Sequence, residues 1–209
     1  MAIKDSMTSD IHESNAENAE SVAASRTGRW IRLVPLQSHH HEFLYELATN
    51  EEFGYRWRFG GAVPTLEVFE QNLWANVLAQ FTVVERRSGS LIGMVVAYNA
   101  DLTQGHVYVG GVMTSGVQRT GLGIEAFHVF SRYLFGTWNL RKLYFDVPEY
   151  NVEFLASGIG NILKEEGRFR QHTYYGGRYW DRFVFALYRD DIEVLGQRPM
   201  GRRRGRAQE

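Results

Sequence analysis

The chain has 209 residues, 44% hydrophobic and 22% charged, with a formal net charge of -1 and no cysteine. That length and composition suit one globular domain with a substantial core, and a charge near zero gives no field to gather nucleic acid or an acidic membrane. The missing cysteine excludes disulfides, thiolate catalysis and cysteine-ligated metal, and no apolar run approaches the roughly 20 residues that span a bilayer.

Residues 1–28 are rich in Ala, Ser, Glu and Asn and carry almost no large apolar side chain, so a disordered or loosely ordered segment is expected there. Its start, MAIKDSMTSDIHESNAENAE, lacks the basic head and apolar centre of a signal peptide, and a cytoplasmic location is expected. The folded domain is expected over 29–196. Ile31–Leu36 alternates like a first strand. Phe43, Leu44 and Leu47, then Phe69, Leu73 and Val77, recur at helical spacing. An aromatic and basic loop joins the two, with Tyr55, Arg56, Trp57, Arg58 and Phe59. His39, His40 and His41 stand before the first helix; consecutive residues do not share a helix face, so a solvated helix start is read there and no metal is expected.

Phe81–Glu85 and Leu91–Tyr98 flank Ser88-Gly89-Ser90 as a hairpin, and a third strand runs from His106 to Met113. A glycine-bearing junction, Gln118 to Ala126, opens a helix with Ile124, Phe127, Phe130 and Leu134 on one face. Leu143–Val147 reads as a strand and Val152–Leu163 as a helix. Arg168–Tyr174 and Phe183–Tyr188 flank a turn at Gly176-Gly177. A basic tail of five arginines, Arg198 to Arg206, closes the chain over 197–209 and is read as solvated, without a nucleic-acid partner. This order gives an α+β fold, an antiparallel meander feeding a strand–loop–helix–strand unit.

The junction Gln118-Arg119-Thr120-Gly121-Leu122-Gly123-Ile124-Glu125-Ala126 carries the chemistry. Glycines there let backbone N–H groups approach a ligand, and the free N–H groups and dipole of a helix start favour an anion such as a phosphate. No Gly-Lys-Ser/Thr follows, so this is not a loop of the Walker type. The loop also comes late and after an antiparallel meander, whereas a dinucleotide fold places its glycines after the first parallel strand.

The junction and its context resemble the Gcn5-related N-acetyltransferase superfamily, whose signature Gln/Arg-x-x-Gly-x-Gly/Ala is matched by Gln118, Gly121 and Gly123. The likeness covers about residues 30–192 and is similar to the RimJ/RimL-type branch. Gly121–Ala126, Asn151, Glu166, Gly167, Arg170, Gly177 and Asp181 match its landmarks. The resemblance implies a fold with a mixed central sheet flanked by helices, acetyl-coenzyme A as acyl donor, and direct attack by a primary amine. That amine is expected to be a small molecule such as an amino sugar or antibiotic, or a protein N-terminus, with the protein a monomer or homodimer. The pyrophosphate would lie on the amides of Arg119, Thr120, Gly121, Leu122, Gly123 and Ile124. Pantetheine would pair along Val112, Met113 and Thr114 like an added strand. An N–H near Val112 or Met113 would polarise the thioester carbonyl, and Asn151 would bond the pantetheine amide.

The proton path departs from the family pattern. Where many relatives carry a glutamate base, this chain has Tyr108, a poor base at neutral pH. His106 and Asp146 are the alternative bases. Phe154 and Gly158 occupy the usual acid positions, leaving Ser157 and Tyr150 as polar substitutes. Loss of the base leaves open a member that binds coenzyme A as a sensor or scaffold. Tyr55, Trp57 and Tyr175 are the expected acceptor-binding rings, suited to a cationic amine. Gly110-Gly111 is read either as room for a larger acyl group or acceptor, or as a β-bulge.

Overall fold

The computed structural model describes residues 26–51, 54–117, 120–156 and 162–192. Gln118, Arg119, Ser157, Gly158, the arginine tail and most of the polar N-terminal segment lie outside the described residues. Ahead of the first strand, Thr27 bridges Arg32 and the Leu33 N–H donates to the Arg26 carbonyl at 2.9 Å.

Among the described residues, seven strands form one sheet. They are β1 (Ile31–Pro35), β2 (Val77–Glu85), β3 (Leu91–Asp101), β4 (His106–Met113), β5 (Lys142–Pro148), β6 (Leu163–Tyr175) and β7 (Arg178–Tyr188). Their spatial order is β1-β2-β3-β4-β5-β7-β6. Every neighbouring pair is antiparallel except β4 and β5, which are parallel. Parallel neighbours need a crossover, and α3 (Leu122–Thr137) provides it. The other helices, α1 (His41–Thr49) and α2 (Leu66–Asn72), come between β1 and β2.

Period-2 alternation along the strands makes two cores. On one face, Val107, Val109, Leu143, Phe145 and Phe185 pack against Ala126, Val129, Phe130 and Leu134 of α3. On the other, Met94 and Val96 pack against Leu44, Ala48, Phe69 and Leu73 of α1 and α2. The His cluster does not act as a unit. His40 is buried with Nδ1 accepting from the Gln37 N–H at 3.2 Å and 3.0 Å from Thr82 Oγ1, while His41 turns outward to Glu70.

Three expectations are corrected. Val77 opens β2 instead of ending α2, because the chain turns at Asn76 with φ 56° and Arg58 donates to the carbonyls of Asn72 and Leu73, closing the helix end. The core face of α3 runs through Leu122, Ala126, Val129, Phe130 and Leu134, whereas Ile124 is 44% exposed. Of the helix expected over 152–163, the described residues show a 3-10 run, Glu149–Leu155, at its start and the first residue of β6, Leu163, at its end, and 157–161 lie outside the described residues.

Candidate active site

The site is a gap in the sheet. β4 and β5 pair over three positions only, His106↔Lys142, Val107↔Leu143 and Tyr108↔Tyr144. Beyond Tyr108, β4 continues against β3 to Met113, and β5 continues against β7 to Pro148. The two strands therefore diverge toward the end where α3 begins. Alternation decides which backbone groups face the opening. The Thr114 N–H donates to Ile92 O at 2.9 Å, and Val112 O also points at β3, 2.2 Å from where a Cβ on Gly93 would sit. Met113 and Gly111, one residue out of phase, turn their N–H and C=O into the gap.

At the mouth of the gap, Gly121 starts α3 in the left-handed region with φ 86°, which glycine adopts without the Cβ cost. Thr120 Oγ1 donates to Val117 O at 2.6 Å, fixing the turn. The Leu122 N–H donates to Thr120 Oγ1 at 3.3 Å, and the next N–H groups of α3, at Gly123 and Ile124, are the ones a helix start leaves without an intrahelical acceptor. A Cβ on Gly121 would meet nothing within 4 Å among the described residues. Glu125, in the same turn, is buried and accepts the Trp30 N–H at 3.1 Å on both oxygens, which ties β1 to the helix start.

The face of the gap turned from α3 is lined by rings. Tyr98, Tyr108 and Tyr144 form a row across β3, β4 and β5, with centroids 5.9 Å and 5.2 Å apart, and His106 meets the edge of Tyr144 at 5.3 Å. Burial pushes the Tyr98 hydroxyl up from its ordinary value, and the nearby Asp146 carboxylate pushes the same way. Asp146 itself is held by Arg182, whose Nε and Nη2 donate to its two oxygens at 2.5 and 2.7 Å. The hydrogen bond from Arg182 to Asp146 raises the guanidinium pKa against the opposing effect of burial. This bidentate pair occupies the carboxylate and argues against Asp146 as a base. His106 lies where the strands are still joined. At ~3.3 Å per residue it stands roughly 16 Å along β4 from Gly111, too far for direct proton transfer there.

Tyr55 and Tyr175 are brought together, stacked at 3.6 Å and 7°. Tyr150, from the 3-10 run after β5, joins them at 5.7 and 5.3 Å, with Trp180 at 5.5 Å from Tyr150. A groove of about 270 Å³ runs beside Tyr55 from the end of α1. Trp57 is not with them, since it packs against the core between the sheet and the first two helices. Asn151 is half-buried in the same 3-10 run. A larger cavity, about 330 Å³, lies at the far edge of the sheet between Thr27, Arg32 and Arg86, away from the gap.

Several of the family landmarks brace this frame. Glu166 accepts from Lys142 at 2.6 Å, from Tyr144 at 2.9 Å and from Tyr188, bridging β6 to β5 across β7, where Ala186 leaves room. Burial works to raise the Glu166 carboxyl, but the hydrogen bonds from Lys142, Tyr188 and Tyr144 outweigh it and hold it below its ordinary range. Asp181 accepts the Gln171 N–H at 2.8 Å and pairs with Arg168, closing the bulge in β6. Sequence reasoning missed Tyr98, Arg182 and the Lys142 bridge. Tyr98 could have been found by extending the hairpin register one strand further, because it stands opposite Tyr108.

This sheet order, with a diverging parallel pair joined by a glycine-started helix, is the fold of the Gcn5-related N-acetyltransferases. Solved structures of the same fold include a spermidine N-acetyltransferase from Vibrio cholerae in complex with CoA and spermine. It is 19% identical with a TM-score of 0.69, over 79% of this chain and 99% of that one. A ribosomal L7/L12 alpha-N-protein acetyltransferase in complex with coenzyme A is 15% identical with a TM-score of 0.68, over 78% and 97%. A GCN5-related N-acetyltransferase from Brucella melitensis is 22% identical with a TM-score of 0.67, over 82% and 81%. No family model matches the chain, and no curated protein matches it in sequence.

Proposed function

We propose that this protein is an N-acyltransferase that uses acetyl-coenzyme A and a primary amine, either a small molecule or a protein N-terminus. One observation carries the reading: β4 loses β5 as a neighbour after Tyr108 and runs on with that edge open toward the glycine-started helix. An extended pantetheine arm fits an unpaired strand edge, and a pyrophosphate fits the amides at the start of α3. The same-fold proteins solved with coenzyme A support the donor, and they act on spermidine in one case and on a protein in another.

In this reading the Gly111 or Met113 N–H donates to the thioester oxygen as charge develops on it. The amine enters from the ring-lined face, held near Tyr55, Tyr150 and Tyr175. Its nitrogen attacks the carbonyl carbon, the C–N bond forms as C–S breaks, and the nitrogen loses a proton to water. The Tyr108 hydroxyl, an O–H donor, supplies a proton to the departing sulfur in this reading, so the residue at the family's base position serves as an acid. Asn151 holds the pantetheine amide. Incubation of the protein with acetyl-coenzyme A and a panel of polyamines, amino sugars and peptides should release free thiol with at least one acceptor. Absence of both coenzyme A binding and thiol release would contradict the reading.

A further inference from the structure

Gly110 and Gly111 are adjacent in β4, and the fold requires only the second. A Cβ on Gly111 would sit 2.7 Å from Met94 O and 3.0 Å from Phe127 Cζ, so that position admits no side chain. A Cβ on Gly110 would meet nothing closer than Tyr98 Cε1 at 3.6 Å and Val96 Cγ1 at 3.9 Å, which are ordinary contacts. Gly110 pairs with Val96 inside an unbroken register from Gly93 to Tyr98, and its φ is not positive. Neither a bulge nor the backbone therefore calls for glycine there, which corrects the bulge reading. Glycine inside a strand weakens it relative to alanine, so the bare position costs stability without serving the packing.

The surroundings of Gly110 explain it. His106, Tyr108, Gly110 and Val112 share the face of β4 turned from α3, and of these Gly110 alone has no side chain. It lies between Tyr108 and the residue pair whose N–H groups face the gap, with Tyr98 beside it. We propose that Gly110 leaves an acyl pocket walled by Tyr98 and Tyr108, which admits acyl chains longer than acetyl and sets their limiting length. The inference rests on the acyltransfer reading. Chain length changes no bond made or broken in that transfer, so space at the carbonyl is what selects among thioesters.

The test compares kcat/KM for acetyl-, propionyl- and butyryl-coenzyme A in the wild type, Gly110→Ala and Gly110→Val, with calorimetric titration of coenzyme A and a thermal melt for each. The wild type should use butyryl within about tenfold of acetyl, since a shaped apolar pocket separates chains by about 10- to 200-fold per methylene. Gly110→Val should lower the butyryl-to-acetyl ratio at least tenfold, with alanine intermediate and the melting temperature of the alanine variant no lower than wild type. A wild type that rejects butyryl more than 100-fold, or ratios that the variants leave unmoved, would overturn the pocket. Wild type that binds no coenzyme A would overturn the acyltransfer reading and the pocket together, which separates the two failures.

Discussion

Tyr108 and Asp146 show how little a residue's place in a motif says about its chemistry until its neighbours are known. Asp146 reads in sequence as a free carboxylate at a strand end, yet its two oxygens are taken by Arg182 from β7, some 36 residues away in the chain. Asp146→Asn and Arg182→Gln should each destabilise by about 1 kcal/mol in urea unfolding, a figure kept small because Arg182 retains 34% of its side-chain surface in water. The double variant should lose less than the sum, as a shared pair requires. If Asp146 were the base, its variant alone would abolish turnover while Arg182→Gln would not. Tyr108→Phe should lower kcat roughly 100-fold, the lower range for loss of a positioned proton donor, with coenzyme A affinity retained in calorimetry. A kcat within threefold of wild type would remove Tyr108 from the proton path.

The elements were more legible than their partners. Alternation and helical spacing located β1, β3, β4, β5 and α1, because each buries one face against its own core. They failed where a short local device overrode the pattern. Val77 keeps helical spacing with Phe69 and Leu73, but the turn at Asn76 and the Arg58 bonds to the carbonyls of Asn72 and Leu73 end the helix first. The glycine start of α3 was readable because Gly121 answers to backbone geometry, standing at φ 86°. The divergence of β4 from β5 was not, since no residue pattern encodes a pairing that stops. Gly121→Ala should cost roughly 1–2 kcal/mol, the penalty of a left-handed alanine, with no steric share because nothing lies within 4 Å of its Cβ. It should also raise the KM for acetyl-coenzyme A. Unchanged stability in urea unfolding would mean that the helix start does not hold the left-handed turn.

For the molecule as a whole, His40 and Glu166 are among the groups that tie stability to pH, in separate windows. Burial lowers the His40 pKa from its ordinary 6.5, with His39 and His41 adding to the effect. The folded state thus resists a proton that the unfolded chain accepts, and stability falls as pH drops below about 6.5. Glu166 is lowered in the fold, so its contribution is whole above the ordinary 4.5 and is lost as pH falls through the lower folded value. Urea midpoints should decline between pH 7.5 and 5.5 in the wild type and less so in His40→Gln. Equal declines would clear His40.

The gap between β4 and β5 is the proposed coenzyme A site, with the pantetheine arm along one strand edge. Amide exchange measured by NMR with and without coenzyme A tests it most directly. Met113, Gly111 and the first amides of α3 should exchange more slowly once coenzyme A binds, while Val112 and Thr114, turned to β3, should not change. Coenzyme A that binds without slowing Met113 and Gly111, or that slows Val112 instead, would contradict the account.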